Sequence, residues 1–169
     1  MEFETLYQDL AHHAEIIQAL LKGITQAEAQ VRPAPDSWSI LEVLGHLIDE
    51  ERDDFRLRID LTLNHPGETW PPIHPDAWVT ERTYNARPLE RSLNEFLAER
   101  ETSLVFLKTL TQANWDASHL SPYGERKAGD LLVAWVAHDV LHIRQLVELR
   151  WARLQPLTHP YDIGYAGDW

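Results

Sequence analysis

"VAWVAHDVLHIRQL", residues 133–146, is the stretch on which the reading of the fold turns. Its two imidazoles, His138 and His142, stand four residues apart. On a helix that spacing stacks them one turn above the other, with side chains within ~6 Å. The surrounding residues repeat with helical period. A wheel centred on His138 places Leu131, Ala134, Trp135, Leu141, His142, Gln145 and Leu149 on one face, and Val133, Val136, Val140, Ile143 and Val147 opposite. The pattern predicts a helix from about Lys127 to Arg153 that turns its histidine face toward other helices, with Asp139 pointing sideways. Nine histidines in 169 residues give ~0.5 pairs at this spacing by composition alone, so the apolar setting counts for more than the spacing. Buried imidazoles need polar partners. One shared cation meets that need, and so do neighbouring carboxylates; this helix alone leaves both open.

A third imidazole lies in "PDSWSILEVLGHLIDEER", residues 35–52. Ser39 and Glu42 have capping-box spacing, and Trp38 and Val43 are placed as the flanking hydrophobic staple. A helix therefore starts at Ser39 and runs to about Leu63, where "NHPG" ends it. His46 shares a face with Ser39, Glu42, Val43, Glu50, Asp53 and Leu57, while Leu41, Leu44, Ile48, Phe55 and Ile59 form the apolar side. A histidine set among acids on a core helix suits a polar, metal-holding cavity better than a dry core. For Glu42 a solvated or purely capping role is the alternative.

Two further helices follow from period and punctuation. One runs from about Glu4 to Lys22 on Leu6, Leu10, Ala14, Ile17 and Leu21, and stops at Gly23. The other runs from about Pro88 to Leu110 on Leu89, Leu93, Phe96, Leu97, Leu104 and Leu107. Four helices, each about 30 Å long, make an all-α four-helix bundle of one domain, residues 1–169. No sustained period-two alternation calls for strands. The connector of residues 64–87, rich in Pro and Trp, is long enough to return along the bundle and make helices two and three parallel. Its Trp70, Trp78 and Tyr84 suit a packed lid, and the tail of residues 155–169 is too aromatic for a free end.

Composition narrows the function classes. Fifteen Lys and Arg against 27 Asp and Glu give a net charge of −12, which disfavours nucleic acid and anionic membranes as partners. The absence of cysteine excludes disulfides, thiolate ligands and a cysteine nucleophile. The acidic start, "MEFETLYQDL", lacks the pattern of a secretory signal, so a cytoplasmic protein is expected.

"DSWSILEVLGHLIDEE" followed by "YGERKAGDLL" and "AWVAHDVLHIRQL" resembles the DinB/YfiT-like superfamily of metal-binding four-helix proteins. The resemblance implies an up-down-down-up bundle with a long crossover between helices two and three, and a homodimer. It also implies one divalent ion held by His46, His138 and His142. Three imidazoles without thiolate suit Zn²⁺, Ni²⁺, Co²⁺ or Fe²⁺. Three protein ligands leave open positions, as in catalytic zinc sites. A small-molecule substrate is then expected, with hydrolysis or transfer of a low-molecular-weight thiol as the competing reactions. A non-catalytic, stress-associated metal-binding protein is the alternative.

Glu50, one turn beyond His46, and Gln145, on the histidine face, are the candidate catalytic or ligand-orienting groups. Position 139 is Asp, with no Glu after His138, so this is not the zincin motif. His13 reads as a core histidine, and His65, His74, His119 and His159 as surface residues. The valine stripe of the last helix exceeds what one bundle needs and is the surface expected to pair two copies.

Overall fold

Ser39 caps the second long helix as expected. Its hydroxyl accepts from the Glu42 amide, and the Glu42 carboxylate accepts from the Ser39 amide. The computed structural model describes residues 1–121 and 124–167. Tyr123 of the family-like stretch and Trp169 of the tail lie outside them. The elements are α1 (Phe3–Leu21), α2 (Gln26–Ala29), α3 (Ile40–Asp49), a π-helical segment (Glu50–Phe55), α4 (Arg56–Asn64), α5 (Pro75–Glu81), α6 (Leu89–Lys108), β1 (Ser118–Ser121), β2 (Gly124–Lys127) and α7 (Ala128–Leu154). The long helices are α1, the run α3–π–α4, α6 and α7.

The core divides into two apolar clusters whose membership fixes the topology. One joins Ile17 and Leu21 of α1, Leu41, Leu44 and Ile48 of α3, Phe96 of α6 and Leu146 of α7. The other joins Tyr7 and Leu10 of α1, Phe55 and Ile59 beyond α3, Leu104 and Leu107 of α6, and Leu132 and Trp135 of α7. The late residues of α1 and α7 thus meet the early residues of α3 and α6. Helices α3 and α6 run down, parallel to each other, while α1 and α7 run up. Polar contacts repeat the register. Arg52 reaches Glu95 and Glu99, Arg56 reaches Glu99, and Arg150 donates to the Leu20 carbonyl as His13 meets Asp139. This is the up-down-down-up bundle, with the 64–87 connector as its crossover.

The crossover packs where the aromatic residues suggested. Tyr84 is buried against Gly45 and donates its hydroxyl to Asp49 Oδ2. Trp70 stacks on His119 with ring centroids 4.6 Å apart. His119 is therefore half-buried, not the surface residue expected from its place in a turn.

Two further expectations need correction. The turn before α7 is an antiparallel hairpin pairing Ser118 with Lys127. Four-residue strands are too short for alternation to register as a signal. The second correction concerns α7, whose inward centre is not His138. Leu132, Trp135, Asp139 and Leu146 are buried, His138 and His142 are half-buried at the edge, and Ala134 and Leu141 are exposed. Asp139, expected to point sideways, is completely buried. A lone ionised carboxylate is too costly to place in a core, but Arg100 from α6 meets it there. Of the valine stripe, Val136 is buried, Val133 and Val140 are exposed, and Ile143 and Val147 are half-buried.

Candidate metal centre

Between the two apolar clusters lies a polar layer. Its deep part centres on Arg100, which bonds Glu51 Oε1 at 2.8 Å through Nε and Asp139 at 2.7 and 2.8 Å through its two terminal nitrogens. Trp135 Nε1 donates to Glu51 at 3.0 Å, and His13 Nδ1 meets Asp139 at 3.3 Å. Arg100 also donates to the Leu10 carbonyl. Four long helical runs are thereby tied at one level. Sequence reasoning missed this cluster, although Arg100 interrupts the Phe96–Leu104–Leu107 stripe at the very spacing that should have been apolar.

The three histidines occupy the same level on the outer side of the layer. His46 Nε2 lies 3.1 Å from His138 Nε2, and His142 Nε2 lies 3.1 Å from His138 Nε2. All three ligand atoms fall within 4.8 Å of one another. No tautomer assignment makes hydrogen bonds of both 3.1 Å contacts. His138 Nε2 has one proton or one lone pair to offer, and two neighbours ask for it. A cation accepting three lone pairs removes the conflict. Two nitrogens bound at about 2.0–2.1 Å to one tetrahedral ion would stand about 3.3 Å apart, close to the spacing seen. The donor set fits a divalent transition metal.

The far ring nitrogens support that orientation. His142 Nδ1 lies 2.8 Å from Gln145 Oε1, an acceptor, so the His142 proton sits there and its Nε2 keeps a free lone pair. His46 Nδ1 faces Glu50 Oε1 at 3.6 Å, beyond hydrogen-bond length. His138 Nδ1 is buried with no hydrogen-bond partner among the described residues. Glu50 and Gln145 thus stand behind the imidazoles instead of at the point where the three Nε2 atoms converge.

Burial keeps the set neutral. It pulls His46 down to about 2, helped by the nearby His142 and His138, and His138 down to about 4, helped by His142. His142 is lowered for the same first reason, with Gln145 working against the shift. Imidazoles must be unprotonated to ligate, and these meet that condition throughout the neutral range. Glu50 is pushed up to about 9, first by burial and then by the Asp54 carboxylate beside it.

His142 lines a cavity of about 550 Å³, together with Pro33, Trp38, Gln145, Leu149 and Ala152, among others. Trp38, the staple residue before the cap, also packs against His46 in a T-shaped arrangement at a centroid distance of 5.1 Å. One residue thus starts the helix and walls the site. Its capping role was legible in the sequence and hid the second one.

A model of the DinB superfamily matches residues 9–146. The fold is similar to a solved structure described with the words "YfiT from Bacillus subtilis is a probable metal-dependent hydrolase with an unusual four-helix bundle topology". That likeness has a TM-score of 0.78 and 19% sequence identity, and covers 88% of this chain and 85% of the other. No curated protein matches the chain. No helix among the described residues is long and apolar enough to cross a membrane.

Proposed function

The chain belongs to the DinB superfamily, and from that premise and the site's geometry we propose that it is a divalent-metal-dependent enzyme acting on a small molecule. His46, His138 and His142 hold the ion, drawn from Zn²⁺, Ni²⁺, Co²⁺ or Fe²⁺. One observation carries the reading: three Nε2 atoms on two helices face one another, with contacts of 3.1 Å and no internal arrangement of protons that satisfies them. When bound, such an ion supplies Lewis acidity, which acidifies a nucleophile and polarises an electrophile.

The chain's own groups do the rest. The cavity beside His142 admits the substrate along α7, with Trp38 as the opposing wall. Gln145 holds the His142 proton on the far nitrogen. Glu50 stands behind His46 and is assigned a positioning role there. Hydrolysis is the leading reaction, supported by the description of the structurally similar protein. Where a thiol replaces water as nucleophile, it arrives with the substrate, because the chain has no cysteine. The exposed Val133, Val140 and Leu141 support pairing of two copies through α7.

Elemental analysis of protein purified without added metal should give one divalent ion per chain, and His142→Ala should abolish it. Retained stoichiometry in that variant would count against the three-histidine site. Turnover is then tested with esters and amides, and with thiols plus electrophiles, using metal-free protein as control. Metal bound without turnover in either screen would favour the non-catalytic, stress-associated binding protein.

A further inference from the structure

The cavity beside His142 adjoins a second, smaller one. The two share Pro33, Leu149 and Ala152 as wall residues. The second encloses about 210 Å³ and is lined by the side chains of Val31, Ile40, Leu149, Pro156 and Leu157. Its charged neighbours, Glu28 and Arg153, form an ion pair, with Arg153 Nε 2.6 Å from Glu28 Oε1. Glu28 also accepts from the Thr25 amide and hydroxyl at 2.8 Å. A water needs two to four polar partners to be held in such a space, and these walls do not offer them. Two of the apolar residues lie open to solvent: Val31 is 60% and Leu157 63% exposed.

We propose that this second cavity is the specificity pocket of the substrate: it takes an uncharged apolar group, of the size of a phenyl ring or a short branched alkyl chain, attached to the reacting centre that sits at His142. The assignment rests on the metal-site reading for where the reacting centre lies. The pocket itself rests on separate residues. Size sets the class, since an apolar cavity of about 150 Å³ already holds benzene. Charge sets it again, because the Glu28–Arg153 pair leaves the wall with no net charge to attract an ionic substituent. Adjacency sets the order of parts along α7: metal-binding head by His142, linker past the shared wall residue Ala152, apolar group against Leu157.

The test uses hydroxamates as metal-binding heads on the full-length, cobalt-loaded protein, read through the visible cobalt spectrum. Acetohydroxamate is compared with phenylalkyl hydroxamates of increasing linker length. At one length affinity should rise at least tenfold over acetohydroxamate. Val31→Asp and Leu157→Asp, both on exposed residues, should cut that gain below threefold while acetohydroxamate binding stays within twofold. In parallel, 4-phenylbutanol, which has no metal-binding head, is titrated into metal-free protein by ligand-observed NMR, and its binding should be lost in Leu157→Asp. If cobalt fails to bind but phenylbutanol binds and is lost in that variant, the metal reading falls and the pocket stands. If cobalt and acetohydroxamate bind but no phenyl compound gains, or the gain survives both Asp variants, the pocket is overturned and the metal reading stands.

Discussion

At the scale of single residues, the site depends on which nitrogen of each imidazole carries the proton. Gln145 settles this for His142 through its 2.8 Å contact at Nδ1. Outer-shell partners of this kind are worth about 10–100-fold in metal affinity. Gln145→Ala should therefore weaken metal binding by about that factor in a chelator competition, and Gln145→Glu, which keeps an acceptor, should restore most of it. Equal affinities in all three proteins would remove Gln145 from the site. Gly45 is a second residue whose identity is dictated by a neighbour. A Cβ there would run into the ring of Tyr84, which is itself buried and bonded to Asp49. Overpacking of this sort costs about 1–3 kcal/mol, so Gly45→Ala should lower the urea midpoint accordingly. An unchanged midpoint would mean the crossover can shift without cost. Gly45 lies one residue before His46, and the space left by its missing side chain lets the crossover seat Tyr84 against α3.

At the scale of elements, the π-helical segment Glu50–Phe55 decides which acid goes where. In a regular helix His46, Glu50, Asp53 and Leu57 would share a face. The wider turn changes that register. Asp53 instead meets Arg82 of the crossover, with its side chain a third exposed. Asp54, four residues on, still neighbours Glu50, whose carboxyl is pushed up by burial and then by that carboxylate. Glu51 is turned fully inward to Arg100. Widened turns of this type gather at functional sites because they re-aim side chains without ending the helix. The resulting Arg100–Glu51–Asp139 cluster ties the π segment, α6 and α7 behind the histidines. Arg100→Met would strand two buried carboxylates and should cost about 3–5 kcal/mol, measured by chemical denaturation. Converting Glu51 and Asp139 to leucine in the same chain should recover most of that loss, since a matched apolar set has no charge to bury. A single variant as stable as the natural protein would show that the cluster is solvated in solution.

At the scale of the whole molecule, ties between distant parts of the chain close the bundle at the end that carries the cavities. Glu28 of α2 caps its own helix and pairs with Arg153 at the end of α7, 125 residues away. The Thr25 amide and hydroxyl, and then Arg153, hold its carboxyl down from the ordinary 4.5 to about 2. A depressed folded-state carboxyl contributes stability that is fully present above its unfolded value and is lost as pH falls through its folded value. The window here runs from about 4.5 down to about 2. Glu28→Gln should therefore destabilise the protein at neutral pH and flatten its loss of stability across that window, measured as urea midpoints against pH. Parallel acid limbs in the two proteins would show that the pair contributes nothing. The same end of the molecule holds both cavities, so closure there and access to the histidines share one set of residues, with Pro33, Leu149 and Ala152 common to the two.

Much of this was already written in local pattern. Apolar spacing placed the long helices within a few residues of their ends, and Ser39, Glu42 and Gly23 marked two boundaries, because period and capping act over one or two turns. His46, His138 and His142 could be singled out because their helix faces were legible one helix at a time. What local pattern could not supply was pairing across helices. The 3.1 Å contact of His46 with His138, the burial of Asp139 against Arg100 and the cavity that Trp38 shares with His142 each join residues tens of positions apart. A carboxylate reads as surface until the guanidinium that neutralises it is seen beside it. The π turn over "EERDDF" likewise had no counterpart in the helical period read from the sequence. Sequence by itself determined that there are four long helices and which faces carry histidine; the tertiary structure alone decided which charges are buried, because only there do their partners arrive.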